Sequence, residues 1–344
     1  MEDLSYVLKK FGFAEDVSYE TYGNGHINDT FRVGVVYILQ RINTNIFKDV
    51  DGLMRNITLV TGFLKEDVRK SGGDVNREVL TLVPAVDGKN YVYDEAGGAW
   101  RLYRFIENSL SLDAPESNAD MAASGLGFGQ FQRRLNDFDA HQLTETIPSF
   151  HDTRKRFGVF EQAVKDDVCG RLASVKSEVD FALARKALVW KIMDAYSKLP
   201  LRVTHNDTKL NNVLLDKTTR QPLCVIDLDT VMPGIAANDF GDAVRFGAST
   251  AAEDEKDLNK VHFDLEKYNA FRDGFLAGCG DIMTEEEIAS LPMGTILMTF
   301  ECGMRFLTDY LQGDVYFKTA YPEHNLDRCR TQFKLVSEQE KALL

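Results

Sequence analysis

The residues able to do chemistry concentrate between positions 203 and 229, which read V-T-H-N-D-T-K-L-N-N-V-L-L-D, a polar turn, and then C-V-I-D-L-D. His205, Asp207 and Asn212 follow the spacing H-x-D-x-x-x-x-N, and Lys209 stands two residues past Asp207. Residues 223–226 are a short apolar, partly β-branched run, which reads as a buried strand delivering Asp227 at its end. An acid, an amide five residues on and a second acid at a strand end suit transfer of a phosphoryl group to a hydroxyl. That reaction asks for an acceptor aimed in line and for cations that neutralise a triphosphate. Asp207 is the candidate base, and Lys209 is within reach of the moving phosphoryl group. Asn212 and Asp227 are the candidate Mg²⁺ ligands, because Mg²⁺ keeps several waters and needs few protein oxygens. Asp229 is open between a second ligand and a brace for the loop. Asp and Asn also favour turns, but a turn does not require this complete spacing followed by strand and acid.

The stretch resembles the catalytic core of the aminoglycoside phosphotransferase and choline kinase superfamily, which is protein-kinase-like. A closer resemblance is to the N-acetylhexosamine 1-kinases. It is carried by G-N-G-H-I-N-D-T-F at 23–31, Y-I-L-Q-R-I-N at 37–43, H-N-D-T-K-L-N-N at 205–212 and D-F-G-D-A-V-R at 239–245, and spans most of the chain. The resemblance implies ATP and Mg²⁺ as cofactors, an amino sugar as the small-molecule partner and a sugar 1-phosphate as product. It implies that a basic residue on the strand at 37–42 holds the nucleotide phosphates. The register permits Gln40 or Arg41. Arg41 is preferred because only it is charged, although the superfamily usually has Lys and the alternative is an Arg facing solvent. In N-acetylhexosamine 1-kinases an Arg of the last long helix and a Tyr just after it contact the sugar, and Arg305 and Tyr316 match by position. The later Asp of the superfamily braces the catalytic loop, so Asp242 is taken as structural.

These groups need elements to hold them. Periodicity predicts a short helix over 3–11 and strands over 17–22, 31–36 and 37–42. A helix over 50–70, with Leu53, Ile57, Val60 and Leu64 on one face, would pack on that sheet. Strands over 78–84, 90–94 and 99–106 follow, the last two joined at Gly97-Gly98. The loop at 23–30 lies between strands and carries glycines that let backbone N–H groups approach phosphates. It is either a plain hairpin turn or a lid in which Thr30 meets the nucleotide and His26 meets the acceptor. Residues 105–108 are the expected hinge, with Phe105, Ile106 and Glu107 lining the adenine. Helices are expected over 120–136, 159–172, 179–199, 262–276 and 284–311, the last two closing the chain. The glycines at 125, 127 and 129 suit close helix packing. T-R-K-R at 153–156 reads as a solvated charge run. Glu301, Arg305 and Asp309 form one helical stripe, either an exposed ion-pair ladder or a presentation of Arg305 to the acceptor.

The expected fold is therefore α+β and two-lobed, protein-kinase-like. A small antiparallel-sheet N-lobe (1–106) binds nucleotide, and a larger, mainly helical C-lobe (107–344) carries the catalytic loop and acceptor site. A length of 344 residues is enough for two cores. A formal charge of −13 argues against nucleic acid as a partner. Five scattered cysteines without metal-ligand spacing fit reduced thiols in a cytoplasmic protein. The first residues lack a signal-peptide pattern, and no apolar run approaches membrane-spanning length. Two alternatives stand beside the sugar kinase: a relative acting on an aminoglycoside, choline or amino alcohol, and a non-catalytic nucleotide-binding module. The intact Asp207, Asn212 and Asp227 speak against the module.

Overall fold

The strand at 37–42 has no clean apolar–polar alternation because both its faces are covered: Leu39 is buried toward one core and Ile42 toward another. In the computed structural model, which describes residues 3–23 and 28–344, this strand is the middle of the smaller lobe's sheet. Strands β1 (Tyr19–Thr21), β2 (Asp29–Val33), β3 (Tyr37–Ile42), β4 (Val92–Tyr93) and β5 (Ala99–Arg104) run antiparallel in the order β1-β2-β3-β5-β4. Helix α1 (Ser5–Lys10) and the preceding Leu4 cover one face, packing on Val33, Leu39, Trp100 and Leu102. Helix α2 (Val50–Lys70) covers the other with Leu53, Ile57, Val60 and Leu64, against Ile42, Ala99 and Tyr103. That second core continues through Phe131, Val203 and Leu228, so the lobes share apolar packing behind the cleft.

The expected strand over 78–84 is corrected. Its first residue ends a short helix, α3 (Val75–Glu78), because Glu78 turns back to accept from the Asp74 backbone N–H at 2.8 Å. Only Leu82 bridges to Tyr103. The chain changes lobes between Arg104 and Ser109: β6 (Ser109–Leu110) pairs with β8 (Val213–Asp216), not with the first sheet.

The larger lobe is helical: α4 (Asn118–Arg134), α5 (Thr153–Asp166), α6 (Lys176–Ala184), α7 (Lys186–Tyr196), α8 (Ala236–Gly247), α9 (Leu265–Cys279), α10 (Glu285–Gln312) and α11 (His324–Leu343). Gly125 and Gly129 bring α4 onto the backbone of α9. A Cβ at either would sit 2.2 Å from a carbonyl oxygen, of Phe271 or Phe275 respectively. The α10 start carries the expected capping box of Thr284 and Glu287. The single helix expected over 179–199 is two, broken at Arg185, whose guanidinium pairs with Glu340 of α11. Helix α11 was not expected. It docks Leu326, Cys329, Phe333 and Val336 into the main core. The five cysteines are free thiols. Among the described residues no helix is long and apolar enough to cross a membrane.

Candidate active site

Two small sheets hold the catalytic loop at its ends. β7 (Arg202–Thr204) pairs with β10 (Met232–Gly234), and β8 pairs with β9 (Pro222–Val225). The loop leaves β7 and enters β8, and Asp227 follows β9. Asp207, Asn212 and Asp227 therefore stand at one end of adjacent strands. Asn206 and Asp227 adopt left-handed backbone conformations, with φ of 63° and 59°, which Asn and Asp tolerate better than other side chains.

The loop backbone is fixed by buried acids of α8. Asp239 accepts from the N–H groups of His205 and Asn206, both at 2.8 Å, and from Gln132 at 3.1 Å. Asp242 accepts from Thr208 N–H at 3.0 Å and pairs with Arg245. His205 is itself structural: Nε2 donates to Ile226 O at 2.8 Å and Nδ1 accepts from Asp207 N–H at 3.3 Å, while Phe128 and Phe131 pack edge-on to the ring. It thus locks the loop to the segment bearing Asp227. Asp242 has the bracing role expected of it. Asp239 carries more of the loop, and its sign in the sequence is that it begins the D-F-G-D-A-V-R run.

At the surface of this scaffold, Lys209 Nζ lies 3.0 Å from Asp207 Oδ1. Burial works against the Lys209 ammonium, but Asp207 and then Asp242 outweigh it and its pKa is raised. Asn212 Nδ2 donates to Asp207 O at 2.8 Å and to Oδ2 at 3.3 Å, and its Oδ1 has no partner among the described residues. Burial, then the Asp229 and Asp207 carboxylates, push Asp227 up to about 7. A carboxylate so short of positive charge, beside a free amide oxygen, fits a hard divalent cation. Among the described residues no three His, Cys, Asp or Glu side chains converge on a metal-sized site. One carboxylate and one amide are a sufficient protein share for Mg²⁺, which keeps several waters and takes phosphate oxygens.

Asp229, open in the sequence between a second ligand and a brace, is tied across to the N-lobe. Its carboxylate is 2.5 Å from Arg101 Nη1 and accepts from Asn28 Nδ2 at 2.7 Å, both in the N-lobe. Strand phase turns Arg41, expected as the phosphate clamp, away from the C-lobe. Arg41 shares a face with Leu39, its guanidinium over Trp100 and near Asp94, on the side away from the C-lobe. The opposite face presents Gln40, which bonds Thr30 at 3.2 Å and accepts from Arg101 at 2.9 Å. Thr30 is therefore part of the cleft-side network. His26 lies outside the described residues. At the lobe crossing, Phe105 N–H is taken by Val36 O at 2.7 Å, Ile106 is buried with its carbonyl accepting from Ser109, and Glu107 is exposed with its carbonyl accepting from Arg77.

The α10 stripe of Glu301, Arg305 and Asp309 is not an exposed ladder. Glu301 is 1 % exposed and accepts from Thr153 Oγ1 at 2.6 Å and His151 Nδ1 at 3.0 Å, with Arg156 Nε at 3.4 Å. The 153–156 run is thus only partly solvated, with Lys155 exposed and Thr153 and Arg156 turned inward. Thr153 is buried, and Arg156 bonds Phe150 O. Asp309, also buried, accepts from the N–H groups of Val315, Tyr316 and Phe317 and so shapes the turn that carries Tyr316. Arg305, between them, has its guanidinium over the rings of Phe150, Tyr316 and Phe317 at 5.4–5.7 Å and makes no ion pair or hydrogen bond among the described residues. His151 and Arg156 carried no sequence signal for the site, since they reach it only where α5 and the turn before it cross α10, and Glu301 was visible only as a member of the α10 stripe.

The fold is shared with kinases of small molecules. A microcompartment-associated aminopropanol kinase matches with a TM-score of 0.66 at 16% identity, covering 98% of this chain and 95% of that one. The GDP and kanamycin complex of APH(2")-IIia matches with 0.62 at 16% identity, covering 98% of each chain. A choline/ethanolamine kinase family protein from Mesorhizobium loti matches with 0.54 at 16% identity, over 95% and 92%. At the level of sequence, the family model described as phosphotransferase enzyme family matches residues 18–272, from β1 through the catalytic loop and both bracing acids into α9. With three quarters of its length so matched, the chain belongs to the phosphotransferase enzyme family.

Proposed function

We propose that this protein is an ATP-dependent kinase that phosphorylates the anomeric hydroxyl of an N-acetylhexosamine, with lobes at 1–106 and 107–344. The observation that carries the acceptor class is Arg305. A guanidinium that makes no direct ion pair among the described residues and feels the buried Glu301 carboxylate only at longer range, walled by aromatic rings and flanked by Arg156, disfavours aminoglycosides and amino alcohols, whereas its fork of donors suits sugar and acetamido oxygens. Tyr316 supplies a ring for the sugar face. The adenine would lie against Phe105, Ile106 and Glu107, and His26 would close over the acceptor.

In this reading Asp207 accepts a hydrogen bond from the anomeric hydroxyl, orients it in line and takes its proton as the oxygen–phosphorus bond forms. The bond from the γ-phosphorus to the bridging oxygen breaks, and ADP leaves. Lys209 steadies Asp207 and offsets charge on the moving phosphoryl group. Asn212 and Asp227 would hold Mg²⁺, which neutralises the triphosphate. An anomeric hydroxyl is more acidic than an ordinary alcohol, so a carboxylate is an adequate base.

The test is turnover with ATP, Mg²⁺ and each of N-acetylglucosamine, N-acetylgalactosamine, glucose, ethanolamine and kanamycin, with the phosphate located by ³¹P–¹H coupling. The expected product is the 1-phosphate of an N-acetyl sugar, with plain hexose much poorer because buried polar groups are left unpaired. Phosphate on the primary hydroxyl, or turnover with cationic acceptors alone, overturns the reading.

A further inference from the structure

Strands β3 and β5 pair in a register that sets Gln40 opposite Arg101, and both side chains face the C-lobe. Arg101 is the buried cation of that face. Its side chain is 1 % exposed and that of Asp229, 128 residues later, is 5 % exposed. Nε and Nη2 of Arg101 donate to Gln40 Oε1, at 3.1 and 2.9 Å, and Nη1 meets Asp229. Asp229 is held from a second point in the N-lobe by Asn28, whose own Oδ1 accepts from Asn43 N–H at 3.0 Å. Helix α2, which packs behind the sheet, buries no acid that could pair with a strand cation. Its inward polar group, Asn56, also reaches across the lobes, to Val231 O at 3.0 Å. The counter-ion for the sheet thus comes from the C-lobe, two residues after Asp227.

We propose that Arg101, Asp229 and Asn28 form an inter-lobe latch that presets the cleft and positions Asp227, with Asp229 serving as the C-lobe half of the tie and not as a metal ligand. A buried pair of this kind has a specific energetic signature. Removing one partner strands the other charge in an apolar setting, whereas replacing both with apolar groups of similar volume removes the penalty. The Arg101 guanidinium is a positioning group: it acts on Asp227 through the backbone that Asp229 anchors.

The experiment uses the full chain without acceptor, so its result is independent of the sugar assignment. Arg101→Met and Asp229→Leu are each expected to lower the Tm by roughly 5 °C or more and to raise protease sensitivity around residues 105–117. The double variant should recover more than half of the lost Tm. Arg101→Lys, which keeps the charge and guards against a variant that fails to fold, should melt between Arg101→Met and the parent chain. Mn²⁺ binding in the presence of ADP, followed by electron paramagnetic resonance, should weaken to about the same extent in Asp229→Asn and Arg101→Met, since both act on Asp227 only through the latch, and collapse in Asp227→Asn, whose carboxylate touches the ion. Single variants that melt like the parent, or single losses that simply add in the double variant, overturn the latch. So does an Asp229→Asn that loses Mn²⁺ as completely as Asp227→Asn while Arg101→Met retains it.

Discussion

Glu301→Gln should destabilise the protein by an amount that fades as pH falls. The carboxylate is 1 % exposed and receives Thr153 and His151 hydrogen bonds at 2.6 and 3.0 Å. Burial raises its pKa, but the His151 hydrogen bond and charge, then Arg156 and Arg305, overcome this and hold it at about 2 against an ordinary 4.5. That gap corresponds to about 3 kcal/mol of stability contributed by the ionised form. The folded pKa is depressed, so the contribution is complete above the unfolded value, is lost as pH falls from 4.5 toward 2, and vanishes below both. A glutamine is almost isosteric but turns one acceptor oxygen into a donor facing donors. The variant should therefore unfold about 3 kcal/mol more easily at pH 7, and the difference should shrink to about 1.5 kcal/mol near pH 3. The assay is equilibrium urea unfolding of both proteins at pH 7, 5, 4 and 3, with equal m-values as the check on two-state behaviour. A difference below about 1 kcal/mol at pH 7, or one that does not vary with pH, refutes the account of Glu301 as an ionised buried hub joining α10 to His151, Thr153 and Arg156.

Asp207→Asn removes the proton acceptor but leaves the Asp239 and Asp242 bonds to the loop, so kcat should fall by about 10²-fold or more with ATP affinity and Tm little changed. Asp227→Ala should abolish Mg²⁺-dependent turnover. A nucleotide affinity that stays fully Mg²⁺-responsive in that variant, measured by calorimetry, would assign the ion to other ligands. Arg305→Ala should raise KM for the acceptor by about tenfold, in keeping with the loss of a charge-assisted hydrogen bond, and leave KM for ATP unmoved. Steady-state kinetics with each substrate varied will separate the two.

What the sequence by itself determined is local. The catalytic loop was legible because Asp207, Lys209, Asn212 and Asp227 lie on one strand–loop–hairpin, where spacing in the chain is spacing in space. Helix α2 was readable to the residue from its apolar stripe. The capping box at Thr284 is a four-residue signal and was equally plain. Strand phase was not legible in β3, because a strand buried on both faces carries no alternation to fix which side chains look into the cleft. A single-residue ambiguity therefore exchanged Arg41 for Gln40. The true buried cation, Arg101, is one strand away by pairing and 61 residues away by sequence from Gln40. Asp229, Asp239, Glu301 and His151 acquire their roles only from partners on other elements. Whether an isolated acid is a ligand, a brace or a surface charge depends on what tertiary packing sets within about 3 Å of it, since a buried charge persists only where a partner meets it.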